Sequence, residues 1–377
     1  RPTDHARKCA SKLLDYKIFC EENNIDWLDF SGKRPSSRPT FRYYKDLYKK
    51  NKRSPSVVNQ YTGVTYEFYK FVSKNWHHID MERVDTLKDF KIMFQSRTGN
   101  SVILDGKKRG QTLATPPASE VPIGYVREDG EDLRPLWNKE LKQFLDILNN
   151  GMWKAIERLI FLVALYTGAR KQSVLTLRMS LLDEFKEDNL QRDGTYRIEA
   201  GPGTSIDTKF SKKQKLYIPK ALADKITTYA NSKSAMARRE KFKESFAHEH
   251  PDLDPMDDAD IYLFLSDQGN CYYMAKDDPR YSIVKAPPTG QVCDTLKRKL
   301  LSQAGGKFPV DFRYHWLRAT YAYQYYQWLQ PLVEKKIITA TDQMNRVQAR
   351  LHHKSRETTE NYLKLFNGIN EKLEAQE

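Results

Sequence analysis

Apolar positions in the first hundred residues recur at helical spacing. Between Ala6 and Phe19, Leu13, Leu14, Tyr16, Ile18 and Phe19 share one side of a predicted helix, and a Gly/Pro/Ser loop, Ser31 to Pro39, follows. A second helix is predicted over Phe41 to Lys50. Ser54-Pro55 ends it and opens a third, in which Val57, Val58, Tyr61, Val64, Phe68, Phe71 and Val72 form an i, i+3/i+4, i+7 stripe. Asp85 to Phe94 predicts a fourth, closing a small helical domain over residues 1–96. Periodicity then gives way to Gly, Pro and charge: residues 97–132, with Gly106-Lys107-Lys108-Arg109-Gly110 ahead of Pro116-Pro117, read as a basic linker.

Helical spacing returns at Trp137 to Leu141, with Asn138 as the expected N-cap, and Trp153 to Tyr166 reads as a buried, mostly apolar helix. Thr167-Gly168 breaks it and Arg170 follows at once. Tyr196–Glu199, Ser205–Phe210 and Lys215–Ile218 are predicted strands, joined by Gly201-Pro202-Gly203 and by Ser211-Lys212-Lys213-Gln214, with Lys209 near the second turn. Lys233 to Glu249 predicts a charged helix, Pro251 to Asp260 an acidic loop, and Ile261 to Leu265 an apolar strand-like return. Thr289 to Gln303 predicts a basic helix carrying Lys297, Arg298 and Lys299, ended by Gly305-Gly306. An aromatic helix then starts at His315-Trp316-Leu317-Arg318. The last stretch, Leu363, Leu365, Phe366, Ile369 and Leu373, is an amphipathic stripe with no obvious partner in its own chain, which either folds back on the second domain or docks elsewhere. The expected fold is mainly α with a small antiparallel sheet, the second domain spanning 133–377.

Composition narrows the function. A chain of 377 residues is too long for one ordinary core, and 63 Lys+Arg against 49 Asp+Glu give a net charge of +14, which favours a polyanionic partner, nucleic acid first. The longest apolar run, Leu159 to Tyr166, is far short of the roughly 20 residues of a membrane span. Cys9, Cys20, Cys271 and Cys293 are scattered, which indicates neither a zinc site nor a disulfide framework and fits a reducing cytoplasm. The start at Arg1 rather than Met suggests that an N-terminal segment has been removed. Arg38, Arg42, Lys45, Lys49, Lys52 and Arg53 interleave with Tyr43, Tyr44 and Tyr48, either as a solvated face or as a surface for phosphates. Lys107, Lys108 and Arg109 of the linker, and Lys212 and Lys213 of the turn, extend the set of candidate DNA contacts.

The chemistry centres on Leu351 to Leu363, where Tyr362 follows His353 by nine residues with Thr358-Thr359 between them. A Tyr hydroxyl, with a pKa of about 10, needs bases and cations around it to act as a nucleophile. Arg170, Lys209, His315, Arg318, His353 and Tyr362, in this order, resemble the constellation of the tyrosine recombinases, the family of phage integrases and of the Xer and Cre enzymes. The resemblance runs from about Leu133 to the end, and the helix opening at Ser54-Pro55 loosely resembles one of that family's N-terminal DNA-gripping helices.

The resemblance implies that Arg170 and Arg318 meet negative charge on a DNA phosphodiester, that Lys209 protonates the leaving 5′-oxygen, and that His315 helps deprotonate Tyr362 or orient the phosphate. His353 would donate a hydrogen bond to that phosphate, and Tyr362 would form a 3′-phosphotyrosine. It further implies site-specific recombination for a mobile element of bacterial or phage origin, a homotetramer on paired double-stranded sites, and a C-terminal tail docked on the neighbouring protomer. An accessory DNA-bending protein is a further possible partner. No metal, nucleotide or other cofactor is called for, and no phosphate-binding Gly-rich motif is found. Two positions depart from the family: the acidic residue expected three places after the first Arg is Ser173, so that Arg170 must be held from elsewhere, and the Gly before the His is His352. The nine-residue spacing favours His353 over His352. The alternatives are a type IB topoisomerase and a non-catalytic DNA-binding protein of the same fold.

Overall fold

The computed structural model describes residues 3–95, 101–115, 119–353 and 355–374. The chain divides into two compact units, Arg1–Ser119 and Glu120–Glu377. In the first, α1 (Thr3–Glu22), α2 (Pro39–Lys45) and α3 (Pro55–Asn75) surround Tyr16, Tyr43, Leu47, Val58, Tyr69 and Val72, all buried. Pro55 sits at the first turn of α3, where its missing N–H costs nothing. The buried phenols are satisfied: Tyr16 and Tyr69 share a 2.7 Å hydrogen bond, and Tyr43 donates to Asp15 at 2.5 Å.

The fourth helix expected over Asp85–Phe94 is not formed. A short α4 (Met81–Val84) stops at Asp85, and β1 (Leu87–Gln95) pairs antiparallel with β2 (Ser101–Arg109). Phe90, Ile92 and Phe94 alternate with period two in residues of high strand propensity, and Gly106 leaves room for the Phe90 ring, since a Cβ there would lie 2.6 Å from it. Part of the stretch read as a linker is therefore sheet.

In the second unit a hairpin comes first: β3 (Val126–Glu128) pairs with β4 (Glu131–Leu133) across Asp129-Gly130, both with positive φ (55° and 85°), the geometry that a two-residue turn of this hand requires. Strands thus run to the end of the stretch read as linker. Next come α5 (Asn138–Asn150), α6 (Ala155–Thr167) and α7 (Lys171–Leu175). The N-cap of α5 is Trp137, one residue before the expected Asn138; its N–H is met by Glu140 at 3.0 Å. Most of α6 is buried, packed against α11 (Trp316–Glu334). Tyr314 Oη donates to the Ile160 carbonyl at 2.7 Å, and Leu136 N–H donates to Thr320 at 2.9 Å.

β5 (Thr195–Ala200) and β6 (Gln214–Pro219) form an antiparallel pair. The strand expected at Ser205–Phe210 is a loop, because Phe210 and Ser211 adopt left-handed backbone (φ 62° and 51°) that no strand can contain, while Ile206 is buried as a plug beneath it. Helices α8 (Lys220–Ala230), α9 (Lys233–Glu249), α10 (Val292–Gln303), α12 (Ala340–Leu351) and α13 (Arg356–Glu374) complete the unit. Around α9 a satellite core of Phe242, Phe246, Tyr262 and Met274 encloses the Asp278–Arg280 ion pair. The fold is mainly α-helical with small two-stranded antiparallel sheets. No helix among the described residues is long and apolar enough to cross a membrane.

The tail has a partner in its own chain, contrary to the sequence expectation. Phe366 is fully buried against Tyr323 and Tyr326, Leu363 and Leu365 pack half-buried on the same core, and Tyr326 Oη donates to Asn367 at 2.6 Å. The side chains of Ile369 and Leu373 lie outside the described residues.

Candidate active site

The six residues singled out in sequence come from helix ends, helix faces and one loop. Gly168 terminates α6 with φ +65°, where a Cβ would fall 2.5 Å from the Tyr321 ring, and the turn it makes delivers Arg170 to the start of α7. Lys209 lies in the β5–β6 loop, and His315 and Arg318 lie at the start of α11. His353 follows α12, whose last turn is closed by His352 in left-handed backbone (φ 52°), and Tyr362 lies on α13.

These side chains, drawn from five separate stretches, all reach one hairpin. Glu128 Oε1 accepts from Arg170 at 2.7 Å and from Arg318 Nε at 3.1 Å. Its Oε2 accepts from Tyr362 Oη at 2.6 Å and lies 3.6 Å from His353 Nε2. Asp129 receives Lys209 Nζ at 2.7 Å and Arg170 Nε at 2.8 Å. Glu131 faces His315 Nδ1 at 3.4 Å. The carboxylates that hold Arg170 are thus Glu128 and Asp129, in place of the acid absent at Ser173.

Arg318 is fixed further by donating to the Gly168 carbonyl at 2.7 Å and to the Leu351 carbonyl. His353 is oriented by Thr359, whose hydroxyl is 3.0 Å from Nδ1, and its ring stacks on Tyr362 with centroids 5.2 Å apart. Its Nε2 has no hydrogen-bond partner among the described residues, as is true of His315 Nε2. His352 instead places Nε2 2.8 Å from the Lys215 carbonyl, so that of the two histidines it is His353 that faces the cluster.

Electrostatics follow from this packing. Burial alone would raise the Glu128 carboxyl, but Arg318, His353 and Arg170 overcome it and hold it well below the usual carboxylate range. Asp129 is likewise held down, against burial, by Lys209 and Arg170. Burial, then the Glu128 charge, push the Tyr362 hydroxyl well above its ordinary value, with Arg318 opposing. Burial lowers His353, although Glu128 pulls the other way. Glu128, Asp129 and His315 are the grouping among the described residues whose ligand atoms, within 4.8 Å of one another, could hold a cation. Both carboxylates already face Arg170, Arg318 or Lys209, and a divalent ion there would meet those like charges.

Sequence reading missed Glu128, Asp129 and Glu131, which it left in a linker; the signal that could have found them is the Asp129-Gly130 pair between Val126 and Leu133, a strong hairpin pattern. It also missed Lys276 and Arg313, which with Lys171 and Lys297 line a cleft of about 570 Å³ running past Arg170, Lys209 and His315.

The nominated DNA contacts divide. Arg42, Lys45, Lys49 and Lys52 are exposed, as are Lys107, Lys108, Lys212 and Lys213. Arg38 donates to the carbonyls of Gly32 and Lys33, Arg53 pairs with Asp15 at 2.9 Å and lies over Tyr61, and Arg109 donates to the Thr62 carbonyl at 2.8 Å. Those three arginines are engaged in building the first unit. Of the interleaved tyrosines, Tyr43 faces the core, and Tyr44 stacks on exposed Tyr48.

No protein-family model matches the sequence, and no curated protein matches it. Among solved structures, a Tn1549 transposon integrase in complex with transposon right end DNA is similar at 12% identity and a TM-score of 0.41, over 94% of this chain and 88% of that one. The same integrase with a circular intermediate DNA gives 13% and 0.40, over 90% and 85%. The XerA recombinase gives 14% and 0.34, over 99% and 98%. These likenesses are loose, and the chemical reading of the chain stands on the geometry of its own side chains.

Proposed function

We propose that the protein cuts and rejoins DNA through a covalent phosphotyrosine on Tyr362, as a site-specific recombinase acting on double-stranded DNA. One observation carries this reading: two guanidiniums, an imidazole and a tyrosine hydroxyl converge on a single oxyanion, the Glu128 carboxylate. With a phosphodiester in that place, Arg170 and Arg318 meet the non-bridging oxygens with donors that keep their protons near pH 7. Tyr362 Oη attacks phosphorus, its proton passing to His315 or solvent. The bond to the 5′-oxygen breaks, and Lys209 supplies the proton that the leaving alcohol takes. The reverse attack by a 5′-hydroxyl rejoins the strand and returns Tyr362.

The family resemblance adds a homotetramer on paired sites, a role in a mobile element, and an accessory DNA-bending protein as a further partner. Incubation with nicked suicide duplexes tests the reading: a covalent adduct located on Tyr362 by peptide mass supports it, and no adduct on any duplex sinks it. Synapsis of two sites then marks a recombinase, and relaxation of supercoiled plasmid by single protomers marks a topoisomerase.

A further inference from the structure

We propose that the hairpin tip carrying Glu128 and Asp129 is a built-in substrate mimic that keeps the site shut until a DNA phosphate takes its place; this rests on the strand-transfer reading above. A carboxylate that merely positioned the arginines would sit behind them and leave their outer donors open. Glu128 instead lies between one donor of each arginine and the nucleophile. Its two oxygens take the donors of Arg170 and Arg318 and the hydroxyl of Tyr362 together, the places where phosphate oxygens and phosphorus belong. Its side chain is 5% exposed and Tyr362 is wholly buried, so no phosphodiester reaches the nucleophile while the turn is in place.

The same turn engages the rest of the machinery, with Asp129 on Lys209 and Glu131 beside His315. On this proposal the hairpin moves at its tip. Val126 and Leu133 anchor its base in the core, whereas the tip, Glu128 with the Asp129-Gly130 turn, is held by ionic contacts and the Tyr362 hydroxyl. Glu128 and Asp129 together bring two negative charges, against one for a phosphodiester. A lone phosphate competes poorly, and keeping the site open requires the further binding energy of a duplex held along the protein.

The test uses two small probes on the full chain, so that no target sequence is needed. Thymidine 3′-(p-nitrophenyl phosphate) reports the nucleophile: the Tyr362 oxygen bonds to phosphorus, the aryl–oxygen bond to phosphorus breaks, p-nitrophenolate leaves without needing an acid, and the phenol proton passes to solvent. Inorganic tungstate, a tetrahedral oxyanion, reports opening of the site by calorimetry. Glu128→Ala and Asp129→Asn should each raise the p-nitrophenolate burst and the tungstate affinity at least about tenfold over wild type. Adding Tyr362→Phe should abolish the burst and spare tungstate binding.

A burst that falls in both variants, or tungstate affinity that does not change, overturns the proposal and makes the turn a support for the arginines. Tungstate affinity that rises while no variant yields a burst upholds the closed turn and sinks the strand-transfer reading. Circular dichroism checks folding. Should Glu128→Ala not fold, Asp129→Asn decides, since it loosens the tip by removing the charge on Arg170 and Lys209 while keeping the Glu128 side chain for folding.

Discussion

The Tyr362 hydroxyl donates to a carboxylate, so in the resting protein it is held protonated and is a poor nucleophile. Replacing Tyr362 by Phe removes one oxygen: no covalent adduct should form on a suicide duplex, while DNA affinity by gel shift stays within about twofold. Glu128 makes a separate prediction through pH. Its folded pKa is depressed below the ordinary 4.5, so its contribution to stability is present above that value and is lost as pH falls below it. Chemical denaturation at pH 7, 5 and 3.5 should show the wild type weakening in acid. Glu128→Gln should start lower at pH 7, by roughly 3 kcal/mol for a broken buried pair, and fall less steeply. The six residues that meet at this hairpin were singled out by their types and order, through the resemblance to the tyrosine recombinases. Glu128 was not: it stands between Arg127 and Asp129 in a polar stretch, and only folding brings it to Arg318, 190 residues away, and Tyr362, 234 away.

Among elements, the β5–β6 loop carries the clearest test. Lys209 is half-buried and tied to Asp129, whereas Lys212 and Lys213 are exposed. Lys209→Ala should slow cleavage of an ordinary phosphodiester by about a hundredfold and recover on a 5′-phosphorothiolate, whose sulfur leaves without a proton. Recovery confined to Lys212→Ala or Lys213→Ala would move the acid to the tip. Long elements such as α6 and α9 were readable because burial or charge is uniform along them. The strand at Leu87–Gln95 was mistaken for a helix, since a nine-residue run of mixed Lys and aromatics fits both periods until its partner strand is known. The tail failed for a related reason: its partners, Tyr323 and Tyr326, lie on a helix some forty residues earlier, and sequence spacing says nothing of that.

At the scale of the molecule, exposed basic residues lie on both units. Exposed Lys45, Lys49 and Lys52 on the first should grip backbone without reading sequence. Neutralising all three should weaken specific and non-specific DNA alike and make the salt dependence shallower, by about 0.9 for each phosphate that is no longer neutralised. An unchanged slope in filter binding would show a merely solvated face. The compact units divide between Ser119 and Glu120, inside the stretch read as a linker; two domains were suggested by length and by the change in patterning. The hairpin at 126–133 was not, because a Gly/Pro-rich, charged stretch looks the same whether it tethers two bodies or folds back into one.

That hairpin also sets a clock. Because Glu128 is part of the chain, its departure and return are first-order steps whose frequency DNA concentration does not alter. With DNA in large excess, the rate of covalent attachment should level off at the rate of turn opening, and duplexes of very different affinity should share one plateau.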